Sequence, residues 1–153
     1  MAAQRSIAGL QPPMGGGRIM KLSRSDTAFL KSQGVARLAT VSSGGTPHNI
    51  PVCPLVDGGK LYFASETNAR KMKNLRANPR ATIVFDVYRD SWRGLRGLML
   101  VCTARIVDEA EFKKIRRKLY KQYPKYESAA PLGPEDSVIV ELTPQSKFGW
   151  ALG

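Results

Sequence analysis

The chain has 153 residues, which suits one domain with a hydrophobic core, and 42% of them are hydrophobic while 24% are charged. It carries 24 Lys and Arg against 12 Asp and Glu, so the formal net charge of +12 favours an anionic partner: a phosphorylated cofactor, nucleic acid or a membrane surface. No apolar run approaches the roughly 20 residues of a membrane span, and the N-terminus lacks the apolar core of a signal peptide. We therefore expect a cytoplasmic protein with no membrane partner.

The cysteines and the single histidine argue against a metal centre. Cys53 and Cys102 each lie in an apolar segment without CxxC spacing, which is typical of reduced, buried thiols. With His48 as the one histidine, neither a Cys/His metal cluster nor a Cys-His catalytic pair within one chain is supported. We expect no metal site, and we expect His48 to be an ordinary strand residue.

The N-terminal region differs in composition from the rest of the chain. Residues 1–22 include a Pro-Pro-Met-Gly-Gly-Gly run and predict a flexible arm, which leaves residues 23–153 as the folded domain. Ser25 and Asp26 can cap a short helix that ends before Gly34.

Three strand-like runs follow, over residues 35–41, 49–56 and 60–64, with turn-rich connections between them. The short connections predict an antiparallel three-stranded meander. Pro51 and Pro54 each remove a hydrogen-bond donor from the middle run, so this run should lie at a sheet edge or be bulged. Its backbone would then be available to a ligand.

A basic helix begins directly after the third run and indicates an anion site. Arg70 and Lys71 lie in its first turn, where cations are normally disfavoured, and Thr67 or Asn68 can cap it so that free N–H groups converge near Ser65. The helix should end near residue 77, because residue 78 precedes a proline. A merely solvated basic face is an equally good interpretation from the chemistry alone.

The remainder predicts two paired strands over 81–88 and 95–107, a helix from 108 with one apolar and one basic face, and a last strand over 137–143. The basic face could contact nucleic acid, but no recognition motif accompanies it, and we expect no nucleic-acid partner. The fold class is therefore mainly β (α+β): a small six-stranded antiparallel barrel with two to three flanking helices.

The chain resembles the pyridoxamine 5′-phosphate oxidase-like flavin-binding split barrels, and most closely the branch of reductases that depend on the deazaflavin F420. Five segments carry the resemblance, in this order: 36–40, 45–52, 61–65, 69–80 and 92–98. The residues at 123–126 and the Gly149-Trp150 pair favour the F420 branch.

This resemblance implies a split barrel, a homodimer with two cofactors at the subunit interface, and redox chemistry at the ring of F420 or, next in preference, FMN. No side chain is expected to act as a catalytic acid or base. By position, the implied cofactor-binding residues are Asn49, Ile50, Pro51, Val52 and Cys53 at the ring edge; Ser65, Arg70 and Lys71 at the phosphate; Trp92 and Arg96 from the partner subunit; and Trp150 closing the pocket.

Three departures argue against true pyridoxamine 5′-phosphate oxidase activity. Asn49 stands where those oxidases carry an arginine, Pro54 where they carry a lysine, and Gly97 where they carry a glutamine. The resemblance therefore implies an F420- or FMN-dependent oxidoreductase that acts on a small unsaturated or heteroaromatic substrate. The alternative is a non-catalytic binding or storage protein for flavin, F420 or heme on the same barrel.

Overall fold

A computed structural model describes residues 20–152 and contains one antiparallel sheet flanked by helices. The elements in chain order are α1 (Arg24–Lys31), β1 (Ala36–Val41), β2 (Pro47–Val52), β3 (Leu55–Asp57), β4 (Lys60–Glu66), α2 (Arg70–Ala77), β5 (Arg80–Val87), β6 (Arg96–Ile106), α3 (Glu109–Gln122), α4 (Lys125–Ala129) and β7 (Ser137–Ala151).

The predicted fold class is confirmed, with seven strands and four helices within residues 20–152 instead of six strands and two to three helices. The extra strand arises because the 49–56 run is not one strand. It breaks after Val52 and resumes at Leu55, and the predicted meander is wrong. The chain instead forms two separate hairpins, β1–β2 and β3–β4.

This break determines the shape of the sheet. The strand order is β2-β1-β5-β6-β7-β4-β3, so β2 and β3 lie at opposite edges although only Cys53 and Pro54 separate them in the chain. Two linking residues span at most about 10 Å. The sheet must therefore curl until its two edges nearly meet, which gives a split barrel with the bend at Cys53 and Pro54 at the opening.

Strands β6 and β7 form the long side of the barrel. They pair from Arg96↔Ala151 to Ile106↔Val140, with one register shift between Val101 and Cys102. Strand β7 is more than twice the length predicted for the last strand, because the polar residues after position 143 remain paired with β6.

Apolar side chains fill the barrel and a second, smaller core lies outside it. The interior includes Leu38, Phe63, Met72 and Phe85, all at most 1% exposed. The second core packs α3 against the outer side of the β3, β4 and β7 region through residues such as Leu119. Helix α2 therefore closes the barrel interior, while α3 covers its outside.

The N-terminal end of the described chain joins this barrel. Ser23, rather than Ser25, is the N-cap of α1, and it forms a capping box with Asp26. The Met20 N–H donates to the carbonyl of Pro144, and Met20 and Leu22 contact the core. The rest of the expected arm, residues 1–19, lies outside the described residues.

Helix α3 is held at its N-terminal end by a polar network. The Glu141 carboxylate, whose side chain is 5% exposed, accepts hydrogen bonds from Lys60, Tyr62 and Arg105, and Arg105 also binds Glu111 in α3. A carboxylate this buried is tolerated because donors surround it. The network fixes α3 across β4, β6 and β7.

Several cations of the basic face are engaged within the fold. Lys118 pairs with Asp57 at 2.6 Å, Arg116 donates to the carbonyl of Leu132, and Lys113 pairs with Glu109. These contacts engage three of the six cations on this face, which are Lys113, Lys114, Arg116, Arg117, Lys118 and Lys121. Over residues 20–152 the structure contains no helix that is long and apolar enough to cross a membrane.

Candidate cofactor site

Helix α2 begins at Arg70, one short turn after β4 ends, and its N-terminus has no side-chain cap. The N-cap is Ala69, and the predicted caps at Thr67 and Asn68 are wrong. Thr67 is used differently: its N–H donates to Asp136, and its carbonyl accepts from Arg76 at 2.7 Å. The amides of Arg70 and Lys71 therefore retain their hydrogen-bonding capacity at the positive end of the helix dipole, whereas the Met72 N–H donates to the Ala69 carbonyl.

Two cations lie at this uncapped end. Arg70 is exposed and Lys71 is half-buried, and neither takes part in the ion pairs described within residues 20–152. Burial lowers the pKa of Lys71, and the nearby charge of Glu66 acts in the opposite direction. A half-buried cation that makes no ion-pair contact, beside free helix amides, favours an anion at this position.

Ser65 lies beside this end, but its hydroxyl is already engaged. It is 6% exposed at the C-terminal part of β4, and its Oγ donates to the carbonyl of Glu66 at 2.9 Å. The hydroxyl can still accept a hydrogen bond in this orientation. It would have to rotate before it could donate to a phosphate oxygen.

Helix α2 is attached to the strand pair that carries the predicted ring contacts. Asn74, one helical turn after Lys71, is buried and donates to Thr40 Oγ1 at 3.0 Å. Thr40 lies opposite His48 in the β1–β2 ladder. The Nδ1 atom of His48 is inaccessible to solvent and has no hydrogen-bond partner among the described residues. His48 is thus on a strand, as predicted, but one polar atom of its ring is buried and unsatisfied.

The ring-edge segment occupies the edge position that its prolines predicted. Asn49 and Pro51 are exposed, whereas Ile50 and Val52 point towards the barrel core. Strand β2 pairs with β1 on one side only. The side chains of Ile50 and Val52 are therefore turned away from a ligand at this edge, and β2 can offer a ligand the backbone groups of every second residue on its unpaired side.

Cys53 follows at the bend between β2 and β3, where two tyrosines contact the chain. The Tyr123 hydroxyl donates to the carbonyl of Pro54 at 2.6 Å, and Cys53 lies close enough to Tyr126 to contribute to its raised pKa. Burial is the larger cause and raises the pKa of both tyrosines to about 12. Sequence reasoning missed both tyrosines as neighbours of the site, because the contact joins residues about 70 positions apart.

We predict that one thiol per folded chain reacts with a thiol-alkylating reagent. Both cysteines are free, but Cys53 is half-buried, whereas Cys102 is fully buried and its pKa is raised to about 12 by desolvation. That pKa alone lowers the thiolate fraction of Cys102 by roughly a thousandfold relative to an ordinary cysteine. Mass spectrometry should find one label in the native protein, two after unfolding and none in native Cys53→Ser. Two labels in the native protein would contradict the burial of Cys102.

The remaining predicted residues lie at the start of β6 and the end of β7. The Arg96 guanidinium stacks 4.3 Å from the centre of the Phe29 ring, and Trp150 pairs in register with Gly97. A Cβ atom at Gly97 would come within 1.9 Å of the Trp150 indole, so glycine is required there. Trp92 is 59% exposed in the preceding loop, at a φ of 56° that is unusual for a non-glycine residue.

Within one chain, the structure does not bring Trp92, Arg96 and Trp150 close to the N-terminus of α2. In the ladders, Ser137 of β7 lies opposite Glu66, just before α2, while Trp150 lies opposite Gly97. Thirteen residues of β7 separate these positions, or roughly 40 Å along the curled strand. Trp150 and its neighbours therefore lie near one end of β7, and the start of α2 lies near the other.

A groove of about 550 Å³ lies on the outer face of the sheet, and none of the predicted site residues lines it, although its lining residue Ala39 lies opposite Asn49 in the β1–β2 ladder. Its lining residues come from the β1, β5, β6 and β7 region: Ala39, Thr40, Val41, Pro47, Asn78, Arg80, Ala81, Thr82, Met99, Val101 and Ser146. Most of its surface is apolar. The sequence already indicates an apolar outer face, because these strands carry apolar residues on both faces instead of a strict alternation of apolar and polar residues.

The part of the chain that the structure describes contains no group of three or more His, Cys, Asp or Glu side chains placed to hold a metal ion. The chemistry available at the predicted site is therefore that of helix amides, two cations, edge-strand backbone and aromatic rings. Such groups bind and orient a charged ring-shaped molecule.

Comparison with known proteins gives one curated relative and several solved structures. A 5a,11a-dehydrotetracycline/5a,11a-dehydrooxytetracycline reductase from Streptomyces rimosus subsp. rimosus is 34% identical over 71 residues, which cover 44% of this chain and 50% of the relative. The match therefore spans only half of the length of that reductase.

Solved structures share the fold. An F420 reductase superposes with a TM-score of 0.61 at 25% identity, covering 74% of this chain and 88% of that one. The heme storage protein HutZ from Vibrio cholerae superposes with a TM-score of 0.70 at 17% identity, covering 86% and 95%. At that identity the second likeness concerns the fold alone.

The family model described as pyridoxamine 5′-phosphate oxidase matches residues 25–151, which is nearly the whole of the described chain. The match includes both hairpins, α2 and the long β6–β7 pair. The chain therefore belongs to the pyridoxamine 5′-phosphate oxidase family.

Proposed function

We propose that this protein is an oxidoreductase that binds F420, or FMN as the next choice, between two copies of the chain. The observation that carries the proposal is the uncapped start of α2, where free amides and the unpaired Arg70 and Lys71 lie one helical turn before the contact with Thr40. The similarity to a named reductase and to an F420 reductase supports redox chemistry and the preference for F420.

The residues at this site suit such a cofactor. Arg70, Lys71 and the first amides of α2 would bind the phosphate, with Ser65 donating a hydrogen bond once its hydroxyl has rotated away from the Glu66 carbonyl. The backbone of residues 49–53 would contact the ring edge. The unsatisfied Nδ1 of His48, which lies opposite Thr40 in the β1–β2 ladder, marks a polar position that the described protein atoms leave incomplete.

The bound cofactor supplies hydride transfer at its ring, and the protein binds and orients it. A phosphate beside the half-buried Lys71 would oppose the effect of burial, which lowers the pKa of this amine. The apolar residues around β2 exclude water from one side of the ring. No side chain near residues 49–53 is proposed as an acid or base, and the substrate is a small unsaturated or heteroaromatic molecule.

A second copy would complete the site. The groove on the outer face is mostly apolar, and we propose this face as the association surface. Trp92, Arg96 and Trp150 lie too far along the sheet to serve the α2 end of their own chain. In the homodimer they would approach the cofactor bound by the other copy. A cytoplasmic location, with both thiols reduced, is part of the proposal.

The proposal is tested by cofactor titration and turnover. Purified protein is titrated with F420 and with FMN by fluorescence, then mixed with reduced cofactor and a panel of unsaturated and heteroaromatic substrates. We expect F420 to bind more tightly than FMN and its oxidation to require a substrate. FMN binding tightly with F420 not bound would reverse the preference, and failure of both cofactors to bind would overturn the proposal.

A non-catalytic binder is the second candidate, because His48 has an unsatisfied ring nitrogen and is the one histidine of the chain. Tight cofactor binding without oxidation by any substrate would favour storage. A heme absorption band that is present in the wild type and lost in His48→Ala would instead indicate heme binding.

A further inference from the structure

The bend between β2 and β3 lacks the hydrogen bonds that hold ordinary strands. Strand β2 ends at Val52, β3 begins at Leu55, and the two lie at opposite sheet edges. Pro51 and Pro54 have no N–H, so the backbone on both sides of Cys53 loses ladder donors. Pro54 is buried, and an unpaired buried carbonyl is costly.

The end of α3 supplies the missing partners. The Pro54 carbonyl accepts from the Tyr123 hydroxyl at 2.6 Å and from Gln122 Nε2 at 3.3 Å, and the same Gln122 nitrogen donates to Tyr123 Oη at 3.0 Å. One helical turn earlier, Lys118 pairs with Asp57 at the end of β3. The last turn of α3 therefore spans the bend from Pro54 to Asp57.

Helix α4 adds a second tyrosine to this contact. The rings of Tyr123 and Tyr126 meet edge to face with their centres 6.1 Å apart, and Tyr126 lies beside Cys53. Both tyrosines are partly buried against α3, and both belong to the second core outside the barrel. Cys53 and Pro54 are thus contacted from outside the barrel by two rings that brace each other.

We propose that Tyr123 and Tyr126 are positioning residues that fix the Cys53–Pro54 bend and so hold the ring-lining backbone of residues 49–53 in place for the cofactor. The assignment rests on the proposed function for its link to the cofactor. Its structural part, the control of the bend, stands on the contacts alone. Pro51 and Pro54 deprive the backbone around Cys53 of two ladder donors, and the 2.6 Å hydrogen bond from Tyr123 to the Pro54 carbonyl anchors this backbone instead.

The test uses the full chain and two matched hydroxyl deletions on α3. Tyr123→Phe removes the bond to Pro54 but keeps the ring. Tyr120→Phe, on the same helix, also removes one hydrogen bond, the one its hydroxyl accepts from the Leu132 N–H at 2.9 Å, away from the bend. The first measurement, without cofactor, is the rate at which iodoacetamide alkylates Cys53. The second is the affinity for F420 and FMN.

We expect Tyr123→Phe to raise the alkylation rate and to weaken cofactor binding, each by about fivefold to tenfold, as the loss of one hydrogen bond allows. Tyr120→Phe should change neither by more than about twofold, even if both variants lose similar stability. If Tyr123→Phe does not fold, Gln122→Ala, which removes the second hydrogen bond to the Pro54 carbonyl, is measured against the same control with the same expected directions.

The two measurements separate the failure of the inference from the failure of the proposed function. A changed alkylation rate in a protein that binds neither cofactor would support the control of the bend, overturn its link to the cofactor and refute the proposed function. Unchanged alkylation and unchanged affinity in Tyr123→Phe would overturn the inference while leaving the cofactor site intact. Equal changes of alkylation rate and affinity in Tyr120→Phe would show a general loss of stability and would also overturn the inference.

Discussion

Replacing Lys71 with alanine should weaken the binding of F420 or FMN by about tenfold to a hundredfold. A hydrogen bond to a charged group contributes roughly 1.5–3 kcal/mol, and each 1.4 kcal/mol is a factor of ten in affinity. Lys71 is half-buried with a lowered pKa, so it has already lost hydration that only an anion would restore. The measurement is a fluorescence titration at fixed ionic strength.

Lys73→Ala is the matched control for this prediction. Lys73 lies on the same helix, is exposed, and its replacement changes the net charge and the helix propensity by the same amounts. Lys118→Ala is a poorer control, because Lys118 pairs with Asp57. We expect the affinity of Lys73→Ala to stay within about threefold of the wild type. Equal losses in Lys71→Ala and Lys73→Ala would show that only the overall charge matters and would refute the phosphate site.

The fold was largely predictable from the sequence because its signals are local. Strand alternation, turn residues and the proline after residue 78 placed β1, β4, β5, β6 and α2 close to their observed bounds. The bend at Cys53 and Pro54 was predictable as an irregularity, but not as a crossing between sheet edges. Which neighbour a strand pairs with depends on tertiary contacts that a periodic pattern does not contain.

Two wrong predictions from the sequence, the length of β7 and the cap of α2, share one physical cause. Strand β7 continues through polar residues because β6 provides pairing partners along its whole length, which overrides weak local preference. The α2 cap was predicted at Thr67 or Asn68, but Thr67 is already bound to Asp136 across the fold. In both cases a distant backbone group decided the outcome. The cation pair at the start of α2 was predictable because it depends on helix geometry alone.

Replacing Met99 with lysine should convert a dimer into a monomer. Met99 lies at the centre of the outer face, between Val84 on β5 and Phe148 on β7, and it lines the groove with Val101. Across a twofold interface each copy would bury the new charge without a partner, which costs far more than the lost apolar contact. Light scattering after size exclusion measures the mass directly.

Loss of the dimer should also abolish cofactor binding, or weaken it by more than about tenfold, if the second copy supplies Trp92, Arg96 and Trp150. Ile106→Lys is the control. Ile106 is 41% exposed on the same strand but lies beside Met72 and Leu75 of the barrel interior and α2, not on the outer face. The Ile106→Lys variant should keep the mass of the wild type.

A wild type that is monomeric, or a Met99→Lys variant that remains dimeric, would refute this interface. A monomeric Met99→Lys variant with full cofactor affinity would place the whole site within one chain, because Lys71 and residues 49–53 are present in each copy.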